Sequence, residues 1–357
     1  MNAGELALLD EHLARAKSAY ARREGEAMQR ALSELDVCLN TLNPPLSMAA
    51  FRENFDVLVI AISVAMAFRA YFYQPFKIPT GSMQPTLYGI HCQPCQPSQA
   101  TWLDHPPFKL FKWLVTGESF KTIRAQVAGT VSFLPSDSSK KPGYMPVVVA
   151  GVPHYVPNDA LEVDQYHRPR RLRGGIENGA HVSAGTILWS GVVVSGDFIF
   201  VNRWKWNFRH PTRGEVMVFA TTGITALQQG THYIKRMTGL PQEELQIKAP
   251  NLLVDGQVVT EPLRIRQIAN RERVWPGHPA YSGFNPSGAR QLYLPGKSLA
   301  QESDTVMLRR DQYYAMGDNS FNSYDSRYWG PVPERNLLGP AAVVYWPFTS
   351  PRWGRIL

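Results

Sequence analysis

The sequence predicts a mainly β fold that is preceded by an N-terminal helical segment and one transmembrane helix. Short β-branched runs between turn residues predict the β body, and they include Val147–Val149, Val192–Val194 and Ala342–Tyr345. Apolar residues at three- and four-residue spacing predict helix in the first fifty residues, and the apolar run after them predicts the membrane segment. With 44% hydrophobic residues, the 357-residue chain has enough apolar surface for a folded core.

Residues 1–50 are predicted to form an amphipathic helical segment. The apolar positions that repeat at helical spacing are Leu6, Leu9, Leu13, Ala16 and Tyr20, then Met28, Leu32, Leu35, Leu39 and Leu42. Gly25 lies between the two groups and is a potential break in the helix. The pattern fits a partner-binding coiled coil, a hairpin in which the helix packs on itself, or a helix on the bilayer surface, and it does not choose among them.

Residues 51–73 are predicted to span a membrane. The stretch from Val57 to Phe68 has no charged residue, and Arg69 near its end can extend its side chain to the headgroups. A buried helix is the alternative, whereas a cleaved secretory signal is disfavoured because about fifty residues precede the segment. The flanking Lys and Arg residues are too evenly distributed to fix the orientation.

Two segments that lie far apart in the chain carry the residues of a serine hydrolase. Pro75–Leu87 contains Ser82, and Tyr233–Pro241 contains Lys235. A serine hydroxyl needs a proton acceptor within hydrogen-bond reach. A lysine can be that acceptor when burial lowers its pKa from roughly 10.4, because desolvation disfavours the ammonium form. The sequence therefore predicts a nucleophile and a base.

These two segments and three others resemble bacterial signal peptidase I. The other three are Gly196–Val201, Arg213–Phe219 and Met316–Gly330, and all five occur in the family's order. The resemblance implies a membrane-anchored serine endopeptidase that removes N-terminal signal peptides from exported preproteins after small residues, at an Ala-x-Ala site. It also implies a single-pass protein of the plasma (inner) membrane, with a cytoplasmic N-terminus and the catalytic domain on the outer, periplasmic face.

The resemblance assigns roles to individual residues. Ser82 matches the nucleophile, Lys235 the general base, Thr80 the hydroxyl that stabilises the oxyanion, and Ser323 the hydroxyl that orients the lysine. Two supporting ion pairs are expected, Asp318 with Arg236 and Asp325 with Arg327. The side chains that match or adjoin the substrate pockets are Phe76, Ile78, Pro79, Val218, Tyr233 and Ile234. The substrate is expected to add as a β-strand beside residues 76–82.

The resemblance also sets the expected domain boundaries. Residues 1–50 would be a cytoplasmic helical segment, 51–73 the anchor and 74–357 the catalytic β domain. That domain is expected to be interrupted by an insert at about 88–195 and by a smaller insert at about 250–310, since the family has only a short link after the serine segment. The function of the larger insert does not follow from its sequence.

Charge and cysteine content limit the binding partners and the cysteine chemistry that can be expected. The net charge of +8 suits an acidic surface, but no zinc-finger, RNA-recognition or P-loop pattern accompanies it, so we expect membrane lipid and the export machinery as neighbours and no nucleic acid. Cys92 and Cys95 fit a local disulfide, free thiols or half of a zinc site. Neither a catalytic metal nor a cofactor is expected.

Two other functions are weighed against the peptidase. A repressor-type serine–lysine autoprotease would carry a DNA-binding helix-turn-helix and no anchor, and neither feature matches. A non-enzymatic membrane scaffold on a peptidase fold would not need Ser82, Lys235, Thr80 and Ser323 together. The peptidase is therefore the favoured function.

Overall fold

The computed structural model describes residues 3–42, 49–134, 141–163, 169–288 and 298–356. The chain divides into two compact units, Met1–Phe68 and Arg69–Leu357. Each unit is described by itself.

Two helices form a hairpin at the start of the first unit. Helix α1 is Ala3–Ala21 and helix α2 is Gly25–Leu42. Arg23 has a positive φ of 56° in the turn between them, and α2 begins at Gly25. The two helices bury small side chains such as Ala19 and Ala31. Of the three arrangements that the spacing permits, the structure therefore has the hairpin.

Helix α3, Ala49–Tyr71, is the apolar helix. Its stretch Phe51–Tyr71 has a mean hydropathy of 1.5 and no buried residue, and it is the one candidate span among the described residues. A core helix of a soluble protein would bury most of such a stretch. The length and composition of α3 fit the transmembrane helix that the sequence predicts.

The second unit is mainly β, which confirms the predicted fold class. Its strands, numbered along the chain, are β1 (Tyr73–Lys77), β2 (His91–Pro94), β3 (Glu118–Arg124), β4 (Gly129–Phe133), β5 (Tyr144–Val149), β6 (Val152–Pro157), β7 (Leu161–Val163), β8 (Pro169–Leu172), β9 (His181–Val182), β10 (Ile187–Val194), β11 (Phe198–Asn202), β12 (Val216–Ala220), β13 (His232–Gly239), β14 (Glu244–Lys248), β15 (Asn251–Val254), β16 (Gln257–Val258), β17 (Thr305–Met307), β18 (Gln312–Met316), β19 (Val332–Pro333), β20 (Leu337–Trp346) and β21 (Gly354–Arg355). Its helices are α4 (Phe108–Thr116), α5 (Leu263–Ala269) and α6 (Ser326–Trp329).

The largest sheet is antiparallel and has the order β1-β11-β20-β12-β13-β18-β19, with β21 added to β20. The rings of Phe76 on β1 and His232 on β13 lie 5.3 Å apart, although four steps of the sheet separate their strands. The sheet therefore curls until strand β1 at its edge approaches β13. Apolar side chains from five of its strands, among them Ile199, Val218 and Val344, fill the interior.

Residues 88–195 fold into their own β structure between β1 and β11. It consists of the sheets β2-β10-β3 and β6-β5-β4-β9 and the pair β7-β8. A separate core packs its strands together, with Val131, Val147 and Trp189 nearly inaccessible to solvent. This core explains why the region can be long without disturbing the large sheet, because it buries its own apolar surface.

The region after β13 adds a further four-stranded sheet, β16-β15-β14-β17, and helix α5. Tyr281 and Phe284 belong to the core that lies between this sheet and the end of the large one. Since Tyr314 and Met316 of β18 share that core, the smaller region is packed directly behind the strand that leads to Gly317.

Candidate active site

Ser82 lies in a short 3₁₀ turn, Gly81–Met83, five residues after β1. The segment between them is fixed from the side of β11: the N–H of Ile78 donates to the carbonyl of Asp197 at 2.9 Å. A Cβ on Gly196 would lie 1.8 Å from the carbonyl oxygen of Ile78, so only glycine permits this approach. Ser82 is consequently 6% exposed, at the edge of the apolar interior.

Lys235 reaches Ser82 from β13, where it pairs with Met217 of β12. Its Nζ lies 2.8 Å from Ser82 Oγ and 3.0 Å from the carbonyl oxygen of Ile234. The Tyr233 ring centroid is 5.6 Å from the same nitrogen. The chain thus brings together two residues that are 153 positions apart, at hydrogen-bond distance.

Burial changes the acid–base chemistry of Lys235, whose side chain is 4% exposed. Desolvation lowers its pKa from 10.5 to about 8; Asp325 and Asp318 oppose the shift, and Arg327 adds to it. A lysine with a pKa of about 8 has an appreciable neutral fraction at physiological pH. When neutral, its Nζ can accept the proton of Ser82 Oγ; when charged, it donates to that oxygen.

The loop after β18 holds the backbone of the nucleophile. The N–H of Asn319 donates to the carbonyl of Ser82 at 3.1 Å, and its side-chain Nδ2 donates to the carbonyl of Gly81 at 3.2 Å. Gly317 comes so close that a Cβ there would lie 2.5 Å from the Ser82 carbonyl oxygen. The position of Ser82 is therefore set by this loop as well as by β1.

The predicted ion pair between Arg236 and Asp318 is present and fully buried. Arg236 Nε donates to Oδ1 at 2.7 Å and Nη2 to Oδ2 at 2.6 Å, in a bidentate arrangement. Thr86 Oγ1 donates to Asp318 and lies 2.8 Å from the hydroxyl of Tyr281. Because Thr86 follows Ser82 by four residues, this network joins the nucleophile segment to β13 and to the loop of Asp318.

The second predicted ion pair, Asp325 with Arg327, shapes the loop that carries Ser323. Arg327 donates from Nε and Nη2 to Asp325, both at 2.8 Å, and Nη2 also donates to the carbonyl of Ser320 at 2.8 Å. Burial raises the pKa of the Asp325 carboxyl, but Arg327 and the hydrogen bonds from the Gly317 N–H and Ser323 hold it below its ordinary value. Asp325 is therefore ionised and keeps Arg327 paired.

The two remaining hydroxyls occupy different environments. Thr80 is exposed and extended immediately before the 3₁₀ turn. Ser323 is 5% exposed, and its Oγ approaches Gly317, where a Cβ would lie 2.2 Å away. Within the described residues, Lys235 Nζ makes its hydrogen bonds to Ser82 and Ile234, and the Ser323 hydroxyl makes none to it. The orienting role of Ser323 stays a prediction.

Four of the predicted substrate-lining side chains share the apolar cluster that includes Met83, whereas Tyr233 packs against a second cluster. Ile78 and Val218 are buried, and Phe76 and Ile234 pack against the same apolar cluster from its half-buried rim. Strand β1 is at the edge of the large sheet, and the pairing of β18 with β13 begins only at Arg236. Among the described residues, one edge of β1 and one edge of β13 before Arg236 are therefore left without a strand partner.

Sequence reasoning left the roles of three residues unassigned. Thr86 lies in the motif segment Pro75–Leu87 and Asn319 in the motif segment Met316–Gly330. Asp318, which accepts from Thr86, and Gly81, which accepts from the Asn319 side chain, are each more than two hundred positions away. Tyr281 belongs to the smaller insert, and nothing in its local sequence marks it. Its hydroxyl contacts Thr86 and accepts from Arg264 Nη1 at 3.3 Å.

Cys92 and Cys95 are free thiols in the structure. Cys92 is in the extended strand β2 and Cys95 follows that strand directly. Three residues of extended chain separate Cα atoms by about 10 Å, whereas a disulfide requires less than about 7 Å. Burial raises the pKa of the Cys92 thiol to about 12, and Asp159 adds to the shift. The extended backbone is therefore incompatible with a local disulfide, and among the described residues no group of three or more His, Cys, Asp or Glu side chains could hold a metal ion.

The curled sheet with a buried serine and lysine is the arrangement expected of a signal-peptidase-type catalytic domain. Residues 190–346 match the family described as signal peptidase, peptidase S26. The matched range includes Lys235 and the loop of Asn319. Ser82 lies outside this range, and the fold places it beside both. The resemblance to bacterial signal peptidase I that the motifs predict is thereby confirmed.

Individual relatives carry the same description. The chain is 34% identical over 152 residues to a probable signal peptidase I-2 of Synechocystis sp., covering 42% of this chain and 56% of the relative. It is 31% identical over 154 residues to a signal peptidase I of Leptolyngbya laminosa, covering 42% of this chain and 61% of that relative. The chain thus spans less than two thirds of the length of these two relatives. A solved signal peptidase I of Enterococcus faecalis aligns with 20% identity and a TM-score of 0.24, covering 37% of this chain and 97% of that one.

Proposed function

We propose that the protein is a membrane-anchored serine endopeptidase that removes N-terminal signal peptides from exported preproteins. The single observation that supports this most strongly is the 2.8 Å separation of Lys235 Nζ and Ser82 Oγ in a buried site. The lowered pKa of Lys235 supports the same chemistry, because only a neutral amine can act as a base. The names of the relatives supply the class of substrate.

The mechanism follows from the positions of these groups. Neutral Lys235 takes the Ser82 proton as Oγ attacks the carbonyl carbon of the scissile peptide bond. The Ser82 N–H and the exposed Thr80 hydroxyl donate to the oxyanion that forms. Lys235 then gives its proton to the leaving amine, and the signal peptide stays attached to Ser82 as an ester. A water molecule, deprotonated by Lys235, attacks the ester carbon; the bond from that carbon to Oγ breaks, Lys235 returns the proton to Ser82 Oγ, and the signal peptide is released.

Specificity for small residues would come from the apolar wall. The substrate is proposed to add as a β-strand beside residues 76–82, so that alternate side chains face the cluster formed by Phe76, Ile78, Val218 and Ile234. Shallow apolar pockets admit alanine and clash with larger side chains. This would produce cleavage at an Ala-x-Ala site, with Pro79 and Tyr233 completing the wall.

The membrane arrangement is part of the same proposal. Residues 51–73 would anchor a single-pass protein of the plasma membrane, with residues 1–50 cytoplasmic and the catalytic domain 74–357, including its inserts at 88–195 and 250–310, on the outer face. The candidate span Phe51–Tyr71 supports an anchor. Exported preproteins, lipid and the export machinery would then be the neighbours of the active site.

One experiment tests reaction and specificity together. The full chain in detergent is incubated with a preprotein that has an Ala-x-Ala site and with the same preprotein carrying bulky residues at both alanine positions. We expect cleavage of the first only, and none by the Ser82→Ala variant. Equal cleavage of both preproteins would contradict the specificity, and activity that survives in Ser82→Ala would contradict the mechanism. No cleavage of either would favour the scaffold function.

A further inference from the structure

Helix α4 of the larger insert turns its apolar face outward. Its side chains Phe108, Leu110, Phe111 and Leu114 are between 47% and 66% exposed, and the neighbouring Trp102 is 65% exposed. At 100° per residue, the four helix positions lie on one side of the helix. A surface helix of a soluble protein normally turns such a side toward the core. In α4 the apolar side is turned toward the solvent instead.

The opposite side of α4 is attached firmly to the protein. The Trp113 ring packs in a tilted orientation against Trp346 of β20, with centroids 5.1 Å apart, and the Trp346 indole N–H donates to the carbonyl of Leu114 at 2.7 Å. Lys112 Nζ donates to the buried carboxylate of Asp104 at 2.7 Å. These contacts fix the orientation of the helix, so the exposure of its apolar side is a property of the fold.

A chain of ring contacts joins α4 to the point where the candidate span ends. It runs through Tyr73, Phe200, Tyr345, Phe198, Trp346 and Trp113, with neighbouring centroids between 4.3 and 6.4 Å apart. Tyr73 follows the last residue of α3 by two positions. The aromatic face of β1, β11 and β20 therefore extends from the end of α3 to the attached side of α4, and the exposed side of α4 lies beyond it. Aromatic rings of this kind prefer the boundary between hydrocarbon and water.

The charges on this face are positive. Lys77 Nζ lies 5.4 Å from the Phe198 ring centroid, and Lys109 is exposed on α4, on the side away from its apolar residues. Lys121 is near enough to Lys77 to contribute to lowering its pKa, after burial, which is the main cause. Asp104, an acidic group close to α4, is paired with Lys112. Lysines beside an apolar helix face suit an anionic bilayer surface better than a neutral or cationic protein surface.

We propose that the exposed side of α4, with Trp102, lies in the headgroup region of the same bilayer that holds the anchor. The proposal rests on the proposed membrane anchor and gives the insert at 88–195 a function: it supplies a second attachment that holds the catalytic sheet against the lipid surface. Strand β1, which leads to Ser82, lies on the aromatic face that would be turned toward the bilayer.

Nitroxide labels on the full chain test the contact without depending on catalysis. In a Cys95→Ser background, Leu110→Cys and Phe111→Cys are labelled and compared with Leu263→Cys, whose leucine is 51% exposed on α5. The protein is incorporated in nanodiscs of phosphatidylcholine and phosphatidylglycerol. We expect the ratio of oxygen to nickel-complex collisions to be several-fold higher at 110 and 111 than at 263, because hydrocarbon concentrates oxygen and excludes the charged complex.

Three results would overturn the proposal. A ratio at 110 and 111 equal to that at 263 would place α4 in water. Labels shielded from both reagents would indicate that protein covers the helix. Failure of the chain to enter nanodiscs would contradict the anchor on which the proposal depends. The first two outcomes affect neither the anchor nor cleavage by Ser82, so the contact of α4 with lipid can fail while the proposed function stands.

An activity comparison supplies the second readout. The double variant Leu110→Glu, Phe111→Glu should process a membrane-inserted preprotein several-fold more slowly than wild type. Its cleavage of a short soluble peptide in detergent should be unchanged. The matched variant Leu263→Glu, Met307→Glu changes two exposed apolar residues elsewhere and should behave as wild type in both assays. Equal processing by both double variants would overturn the proposal.

Discussion

The backbone N–H of Asn319 donates to the carbonyl of Ser82 at 3.1 Å, while the Asn319 side chain donates to the carbonyl of Gly81 at 3.2 Å. Both bonds restrain the nucleophile turn, and the side-chain bond alone can be removed by substitution. Asn319→Ala should lower kcat about five-fold, the effect of losing about 1 kcal/mol of alignment. Steady-state kinetics on a preprotein check this, and an unchanged kcat would show that the backbone contact suffices.

Lys235 cannot be replaced by another cation. Lys235→Arg should lower kcat/KM by at least about 10³-fold, since a guanidinium stays protonated and cannot act as a base. Ser82→Ala and Lys235→Ala should be equally inactive and should keep the fold and membrane insertion. Circular dichroism of each variant serves as the control. Near wild-type turnover by any of the three would contradict the assigned roles.

Gly317 tolerates no side chain. A Cβ there would lie 2.2 Å from Ser323 Oγ and 2.5 Å from the Ser82 carbonyl oxygen. Gly317→Ala should therefore displace the nucleophile and reduce activity at least about ten-fold, with a lower melting temperature, because overpacking of a buried site costs about 1–3 kcal/mol. Gly25→Ala, where nothing lies within 4 Å, is the matched control and should be neutral. Similar activities for the two variants would refute the steric argument.

The buried ion pair of Arg236 and Asp318 should dominate stability near the site. Arg236→Ala leaves a buried carboxylate without its partner, and we expect the free energy of unfolding to fall by about 3–5 kcal/mol. Arg171, which pairs with Glu162 at the surface, provides the comparison, and Arg171→Ala should leave the unfolding midpoint nearly unchanged. Chemical denaturation measures both, and equal midpoints would contradict the expected difference.

The catalytic residues of this site are easier to predict from the sequence than the residues that hold them in position. Ser82 and Lys235 lie in segments whose residue types fit a nucleophile and a base, so their meeting could be expected before any fold was known. The pairs of Asp318 with Arg236 and of Asp325 with Arg327 are predicted by the resemblance to bacterial signal peptidase I and not by residue type. The roles of Asn319 and Tyr281 could not be expected, because each depends on a contact with a segment about two hundred residues away, and a backbone carbonyl or a buried hydroxyl partner has no signature in local sequence.

For the fold as well, the sequence predicts the helices and strands but not how they are arranged. Spacing of apolar residues predicts helix before Gly25 and after it, but whether the two parts form one rod or a hairpin depends on which surface buries Ala19 and Ala31. The short β-branched runs predict strands without predicting their order. The outward side of α4 is the clearest case, since an amphipathic pattern shows that a helix has two sides but not which one faces the protein.

The pH dependence of kcat/KM for preprotein cleavage tests the central claim most directly. Burial lowers the pKa of Lys235 to about 8, so the neutral base becomes more abundant as the pH rises. The rate should increase about ten-fold per pH unit on the acidic side and level off above about pH 8. A profile that stays flat through this range, or that rises only near the ordinary lysine pKa of 10.5, would contradict a buried lysine acting as the base for Ser82.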